Sequence, residues 1–304
     1  MMRSTFCLAT IFTAGLALAT ADAQTAPQKF GTTEEAAQAL VNASSQNDTA
    51  ALLKIFGAAG KDIVESGDAT EDNTGRAHFA DLAHEKMQID VEPQNPNRAT
   101  LVVGPKDWPF PVPLVRKNNQ WYFDSPAGRV EVLARRVGRN EMTAIDVCRG
   151  YVEAQMEYAS HDRTADGMLQ YAQKIVSTAG KKDGLYWEGE ADNLVPKAFA
   201  DAAAAMFAEG KKPTPYHGYY FHILKAQGPE APGGALNYVV NGKMMGGFAL
   251  IAYPAEYGVS GIKTFIVSHH GMVYEKDLGN TTGTLGRQIT RFNPDKTWKA
   301  VSGE

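Results

Sequence analysis

Four of the seven histidines fall in the C-terminal third of the chain, at His217, His222, His269 and His270. Imidazoles gathered from neighbouring strands would suit zinc or copper. Their spacing works against this. Residues five apart on a regular strand point to opposite faces, as do two in succession. The pattern favours turn or surface histidines, and no metal ligand is assigned. Asp162-Arg163-Thr164-Ala165-Asp166-Gly167 has the opening of a calcium loop, with oxygen ligands at the first, third and fifth places and glycine at the sixth. The twelfth place is Gln173 where a bidentate glutamate is expected. A turn closed by Asx-type hydrogen bonds is the plainer reading, and calcium binding stays open.

Nucleophiles are no better placed. Ser260 lies in Gly258-Val259-Ser260-Gly261, but Ile262 stands where a nucleophile elbow needs its second glycine. Glu256, after Pro254-Ala255, is expected to be buried or paired, yet no second carboxylate is indicated for acid–base work. Residues 228–234 are glycine-rich but contain Pro229 and Pro232 and no lysine, so they read as a hairpin loop and not a phosphate loop. Cys148 sits on a helical pattern between Val147 and Arg149, with no basic partner to activate it. It is expected to be a buried, inert thiol. No catalytic, cofactor-binding or metal-binding residue is therefore assigned, and no cofactor.

The elements that would position any site are clearer. Thr32-Thr33-Glu34-Glu35 is a capping sequence, followed by Ala36, Ala37, Leu40 and Val41 at helical spacing. Asp48 is expected to cap a helix over 49–56, and Asp72-Asn73 another carrying Phe79, Leu82, Ala83 and Met87. The period then changes. Residues 99–103 read as a strand, and 109–113, with three prolines, as an edge or a loop. Leu114-Val115, the Asn118-Asn119 turn and residues 120–124 read as a hairpin. Residues 126–160 hold the longest helical pattern, which should either bridge two domains or break near Gly138. A short helix is expected around 168–175 and an alanine-rich segment at 196–208. From Tyr216 the chain is β-rich, with strands over 218–226, 248–253, 264–268 and 272–276, and a weaker one over 237–241. Trp108, Trp121, Tyr219, Phe221, Phe248 and Phe265 are expected in cores or on sheet faces; left exposed together, such aromatics would mark a binding surface.

The 304 residues carry a formal charge of −4 with basic and acidic residues interspersed, so neither nucleic acid nor an anionic membrane surface is indicated as a partner. Arg3, the apolar run 6–18 and the small-x-small site Ala21-Asp22-Ala23 read as a secretory signal, with the mature chain starting at Gln24. The apolar run is shorter than the roughly 20 residues that span a bilayer. No later run is long enough, so no membrane span is expected after cleavage. The address is periplasmic or extracellular.

Long motifs in the β-rich part carry a resemblance. Tyr216-His217-Gly218-Tyr219-Tyr220-Phe221, the block from Gly246-Gly247-Phe248 to Tyr257-Gly258, and Gly271-Met272-Val273-Tyr274-Glu275-Lys276-Asp277-Leu278-Gly279 resemble the exported bacterial family catalogued as domain of unknown function 2950. The likeness runs along nearly all of the mature chain and implies no established activity. A more distant resemblance is to the globular domains of type IV pilins and pseudopilins. Gly218-Tyr219-Tyr220-Phe221, Ala252-Tyr253-Pro254, residues 261–267 and Gly271-Met272-Val273 follow the helix 143–159 in the pilin order. Pilins assemble through a retained N-terminal apolar helix. Here a cleavable signal and a whole extra domain precede the module, so that resemblance implies the fold and not filament assembly.

The expected architecture is α+β. A signal peptide (1–23) precedes an N-terminal domain of helices and a small antiparallel sheet (24–126). A long connecting helix then leads into a pilin-like antiparallel β-sheet domain (127–304). The function that fits is a soluble, exported binding or structural module of the cell envelope, non-catalytic, with an unknown protein or small-molecule ligand. The alternative is an envelope hydrolase with an unrecognised site at the domain junction.

Overall fold

The computed structural model describes residues 26–206 and 213–302; the signal-peptide segment lies outside the described residues. Thr32 opens α1 (Thr33–Ser45) with a reciprocal cap: its hydroxyl accepts from the Glu35 N–H at 3.1 Å, and the Glu35 carboxylate accepts from the Thr32 N–H at 3.3 Å. Asp48 caps α2 (Thr49–Phe56), as expected, accepting from the Ala51 N–H at 3.0 Å. A single turn, α3 (Lys61–Val64), follows.

Two expectations are corrected in the next helix, α4 (Ala69–Glu85). Its cap is Asp68, whose carboxylate accepts from the Thr70 and Glu71 N–H groups, and not Asp72-Asn73. Asp72 already lies inside the first turn and accepts instead from the Ser66 N–H at 3.0 Å. The helix also ends before Met87, which opens β1 (Met87–Glu92). Met-Gln-Ile-Asp-Val-Glu alternates with period two, the signature of a half-covered strand. It pairs antiparallel with β2 (Asn95–Val103), Met87 opposite Val103.

The short strand β3 (Trp108–Pro109) flanks β2, where proline needs no ladder hydrogen. The hairpin of β4 (Leu114–Lys117) and β5 (Gln120–Phe123) turns on Asn118 and Asn119, with φ of 53° and 56°. Left-handed backbone at both positions matches the strand twist, and asparagine tolerates it. The sheet runs β1-β2-β4-β5 with β3 beside β2. Leu40, Leu52, Phe56, Leu101, Leu114 and Phe123 lie in its core.

A single helix, α5 (Ser125–Ala159), then runs unbroken for 35 residues, about 52 Å at 1.5 Å per residue. It does not break: Gly138 sits exposed in mid-helix. Val137, Asn140, Ala144, Cys148, Tyr151, Gln155 and Tyr158 form its buried stripe at steps of three and four.

The helix expected around 168–175 is absent, and that segment is irregular. Its backbone finds partners elsewhere. Tyr171 donates to the Met244 carbonyl at 2.8 Å. Ala172 is gripped on both its N–H and its carbonyl by the buried Gln155 amide, each at 2.8 Å. Those bonds displace the i→i−4 pattern of a helix. The alanine-rich segment does form α6 (Lys197–Met206).

The strand expectations hold with small changes of boundary. β6 (Tyr219–Leu224), β11 (Ala249–Pro254), β12 (Lys263–Ser268), β13 (Val273–Asp277) and the terminal β14 (Lys299–Ala300) make an antiparallel sheet in the order β14-β13-β12-β11-β6. Two short pairs lie between β6 and β11: β7 (Ala226–Gln227) with β8 (Leu236–Asn237), and β9 (Val239–Val240) with β10 (Lys243–Met244). The short helix α7 (Thr282–Gln288) packs on β11. The C-terminal half of α5 covers β11 and β12, and a second core forms around Tyr151, Tyr219, Phe248, Leu250, Ile251 and Phe265. The chain is α+β. Among the described residues, no helix is long and apolar enough to cross a membrane.

Candidate functional site

Where α4 and the N-terminal half of α5 pass each other, they leave a cleft of about 250 Å³. Its floor is apolar, built by Leu52 and Phe56 of α2, Phe79 of α4, Val132 of α5, and Trp108 and Phe110 from the segment after β2. Phe79 and Phe110 rings lie 5.2 Å apart, and Trp108 meets Phe110 edge-on at 6.2 Å. Trp108 is 38 % exposed at the opening, so one expected core aromatic instead faces solvent.

The walls are charged. Arg76 comes from α4, and Arg135, Arg136 and Arg139 from α5, against Glu71 and Asp72 of α4. Val132, Arg135, Arg136 and Arg139 are spaced three, one and three, which sets them on one helical face.

Most of these charges are committed within the fold. Arg76 donates to Asn47 Oδ1 at 2.6 Å, Thr49 Oγ1 at 2.8 Å and the Val64 carbonyl at 2.9 Å. Arg136 donates to the carbonyls of Asp62 and Ile63, at 2.5 and 2.9 Å. Burial pushes the Arg136 pKa down; Asp72, Asp62 and Glu256 oppose this, and neighbouring Arg139 adds to it. Arg135 donates to Glu131 at 2.6 Å and lies 5.5 Å over the Trp108 ring. Arg139 differs: exposed, its guanidinium makes no hydrogen bond or ion pair among the described residues.

At the inner end of the cleft, Glu71 Oε1 meets His217 Nδ1 at 2.5 Å. The hydrogen bond to His217 holds the Glu71 carboxyl below its usual range, helped by the charges of His217 and Arg139. The same bond, then the charges of Glu71 and Asp68, raise His217, while Arg139 opposes. Both shifts favour the charged pair. Directly after the histidine, the Gly218 N–H donates to the buried Asp68 Oδ2 at 2.9 Å. Gly218 has a φ of 75°, and a Cβ there would lie 2.5 Å from Asn140 Nδ2, so only glycine fits without strain. Asn140 donates to the Ser260 carbonyl at 2.9 Å, and Glu141 Oε1 accepts from Ile262 and Lys263 at 3.0 and 2.9 Å. Asp68 and Glu71 thus grip one strand entry of the C-terminal sheet, and Asn140 and Glu141 grip another.

The residues singled out in the sequence lie mostly elsewhere. His217 is at the cleft's inner end, but the other histidines are remote from it and from one common point. His222 Nε2 donates to the Ile289 carbonyl at 2.9 Å, and burial pushes its pKa down. His269 and His270 lie against each other, 4.2 Å between rings, on the turn after β12. Among the described residues, no three His, Cys, Asp or Glu side chains gather as a metal site requires. Asp162 accepts from the N–H groups of Thr164, Asp166 and Gly167, and Lys243 Nζ lies 2.9 Å from Asp166. That is the Asx-type turn, with a lysine beside one of its acids. Ser260 is buried and exchanges hydrogen bonds with the Glu256 backbone. The expected burial or pairing of Glu256 is corrected: it is solvent-exposed, on the turn that follows β11, and takes part in no ion pair among the described residues. Residues 228–234 form the loop between β7 and β8. Cys148 is fully buried, and burial pushes its thiol up to about 12.

A second hollow of about 540 Å³ opens beside β6, lined by His222, Lys225 and Arg287. It is the larger, but its wall includes Met206, beyond which residues 207–212 are not described. Every residue lining the α4–α5 cleft is described, and it brings charged and aromatic side chains together, so it is the stronger site. Its only trace in the sequence is the cluster Arg135-Arg136-x-x-Arg139, on a helix that carries other charged residues at its surface as well. No curated protein and no solved structure matches the chain. A family model matches residues 27–301, from the lead-in to α1 through to the end of β14: the chain belongs to the family described as Protein of unknown function (DUF2950).

Proposed function

We propose that this is an exported protein of the cell envelope that works by binding, and that the α4–α5 cleft is its binding site. The observation that carries the reading is a hollow with an aromatic floor whose charged wall holds an unengaged arginine. Cavities of about 150 Å³ already accept benzene when their walls are apolar, so 250 Å³ takes a ring or a short chain. The reactive groups nearby are poorly suited to attack: the thiol is buried and Ser260 is held in a turn.

Gly75 lines the cleft from α4, and a Cβ there meets no atom within 4 Å. Gly75→Leu therefore adds a bulky apolar side chain to the lining from a position where its Cβ is unobstructed, and replaces a poor helix former. A neutral fluorescent probe, N-phenyl-1-naphthylamine, should bind the wild type saturably, one per chain, and bind Gly75→Leu at least tenfold more weakly. Equal binding to both would overturn the site.

Export belongs to the same proposal and rests on Arg3, the apolar run 6–18 and Ala21-Asp22-Ala23. Protein from separated envelope and cytoplasmic fractions should start at Gln24 by intact mass; a cytoplasmic chain starting at Met1 would refute it. The pilin-like reading of the C-terminal half and a domain boundary near residue 126 complete the proposal, resting on motif order and on the two separate cores.

The Glu71–His217 pair favours a second reading, a hydrolase at the domain junction with the protonated His217 as general acid. Turnover of small esters by the wild type, lost in His217→Gln, would support it.

A further inference from the structure

We propose that the ligand of the cleft is a small free monocarboxylic acid with an apolar chain or ring, its carboxylate held by Arg139. The inference rests on the binding reading above and adds the head group.

The argument is one of charge that the fold leaves over. Four arginines face two carboxylates in the lining, in a protein whose formal charge is −4. The lining thus presents more guanidinium than carboxylate groups, and any guanidinium left without a partner favours an anion. Five of the six charges already have partners. Asp72 accepts from the Ser66 N–H with both oxygens, at 3.0 and 3.2 Å. Glu71 is paired with His217, Arg76 and Arg136 are filled by carbonyl and side-chain oxygens, and Arg135 lies between Glu131 and the Trp108 ring. Among the described residues, Arg139 alone of the six has a free fork of donors. A planar guanidinium matches a carboxylate by two parallel hydrogen bonds. One free cation beside the Glu71 carboxylate suits a head of single negative charge better than a dianion, which Glu71 would repel. The floor of Leu52, Phe56, Phe79, Phe110 and Val132 is hydrocarbon, with the Trp108 indole at the opening, so the part of the ligand that lies on it is apolar.

Titration calorimetry of the full mature chain with decanoate, decanol and decyltrimethylammonium separates head from body. Decanoate should bind one per chain, decanol at least tenfold more weakly, and the ammonium not at all. Arg139→Gln should weaken decanoate about ten- to hundredfold, the range of a lost charge-assisted hydrogen bond, and leave decanol unchanged. Arg139 is exposed, so this variant should fold. Gly75→Leu should weaken decanoate and decanol alike. If decanoate and decanol bind the wild type equally, or Arg139→Gln binds decanoate as the wild type does, the head-group inference falls and the cleft reading stands. If none of the three binds, or Gly75→Leu changes nothing, both fall.

Discussion

The two halves of α5 share one helical geometry and meet opposite surroundings. From Ala144 to Tyr158 the inward face carries Ala144, Cys148, Tyr151, Gln155 and Tyr158 against β11 and β12. This half is dry. Its one amide, Gln155, is satisfied by Tyr151 Oη and by both backbone groups of Ala172, each at 2.8 Å. Between Val132 and Arg139 the flank beside that stripe carries guanidinium groups over a hollow. Arg136 is tied to the carbonyls that end α3, while Arg139 is tied to nothing among the described residues. A buried face with complete packing fixes the helix on the sheet. A face with uncommitted charge adds little to that fixing, and it is free to meet something else.

The largest test of the contrast is truncation at each end. Tyr151 is 2 % exposed and meets Phe248 edge-on at 5.6 Å. Tyr151→Ala should cost about 3–5 kcal/mol, the range for emptying an aromatic site in a core. Arg139→Ala should stay within about 0.5 kcal/mol of wild type. Urea unfolding of both variants decides; similar losses would mean that Arg139 has a structural role after all.

Local signals told most of the fold. The Thr32–Glu35 cap, the Asp48 cap, the Asn118-Asn119 hairpin and the positions of β6, β11, β12 and β13 follow from residues close in sequence, and each is readable there. The errors came where distant partners decide. Met87 was placed on a helix because its alternation begins where the helical stripe ends, and pairing with β2 settles it. The segment 168–175 has helical spacing, but Gln155 and Met244 claim its backbone. The candidate site was hardly legible. Arg135, Arg136 and Arg139 look like any solvated helix face until α4 is seen to pass opposite. The bond from Gly218 to Asp68 joins residues 150 apart in sequence, which no spacing rule reaches.

Gly138 lies at the seam between the two halves, and its removal gives the second-largest effect. It is exposed, its φ is not positive, and an added Cβ meets no atom within 4 Å. Glycine inside a helix costs about 1 kcal/mol relative to alanine. Gly138→Ala should therefore stabilise the protein by about 0.5–1 kcal/mol in thermal or urea unfolding, with binding in the cleft unchanged. A stabilised variant that lost binding would show that the two halves must flex against each other, and would replace the static contrast with a hinge.

The smallest effect concerns the Glu71–His217 pair, which ties α4, the wall opposite the charged half of α5, to the entry of β6. The pair holds the Glu71 carboxyl below its ordinary 4.5, so the stability it adds is present above about pH 4.5 and is lost as pH falls through the folded-state value. His217 is held above its ordinary 6.5, so its share is present below about pH 6.5 and is lost as pH rises through the folded-state value. The two windows overlap between about 4.5 and 6.5, where both groups are charged in the folded chain. Both side chains are partly exposed, so the gain is below about 1 kcal/mol. Urea midpoints at pH 3.5, 5.5 and 8.5 should show the wild type gaining most over His217→Gln at pH 5.5. Curves that stay parallel across the three pH values would mean that the pair does not clamp the junction. The C-terminal sheet would then be tied to α4 by Asp68 and to α5 by Asn140 and Glu141, whose bonds to its backbone need no histidine proton.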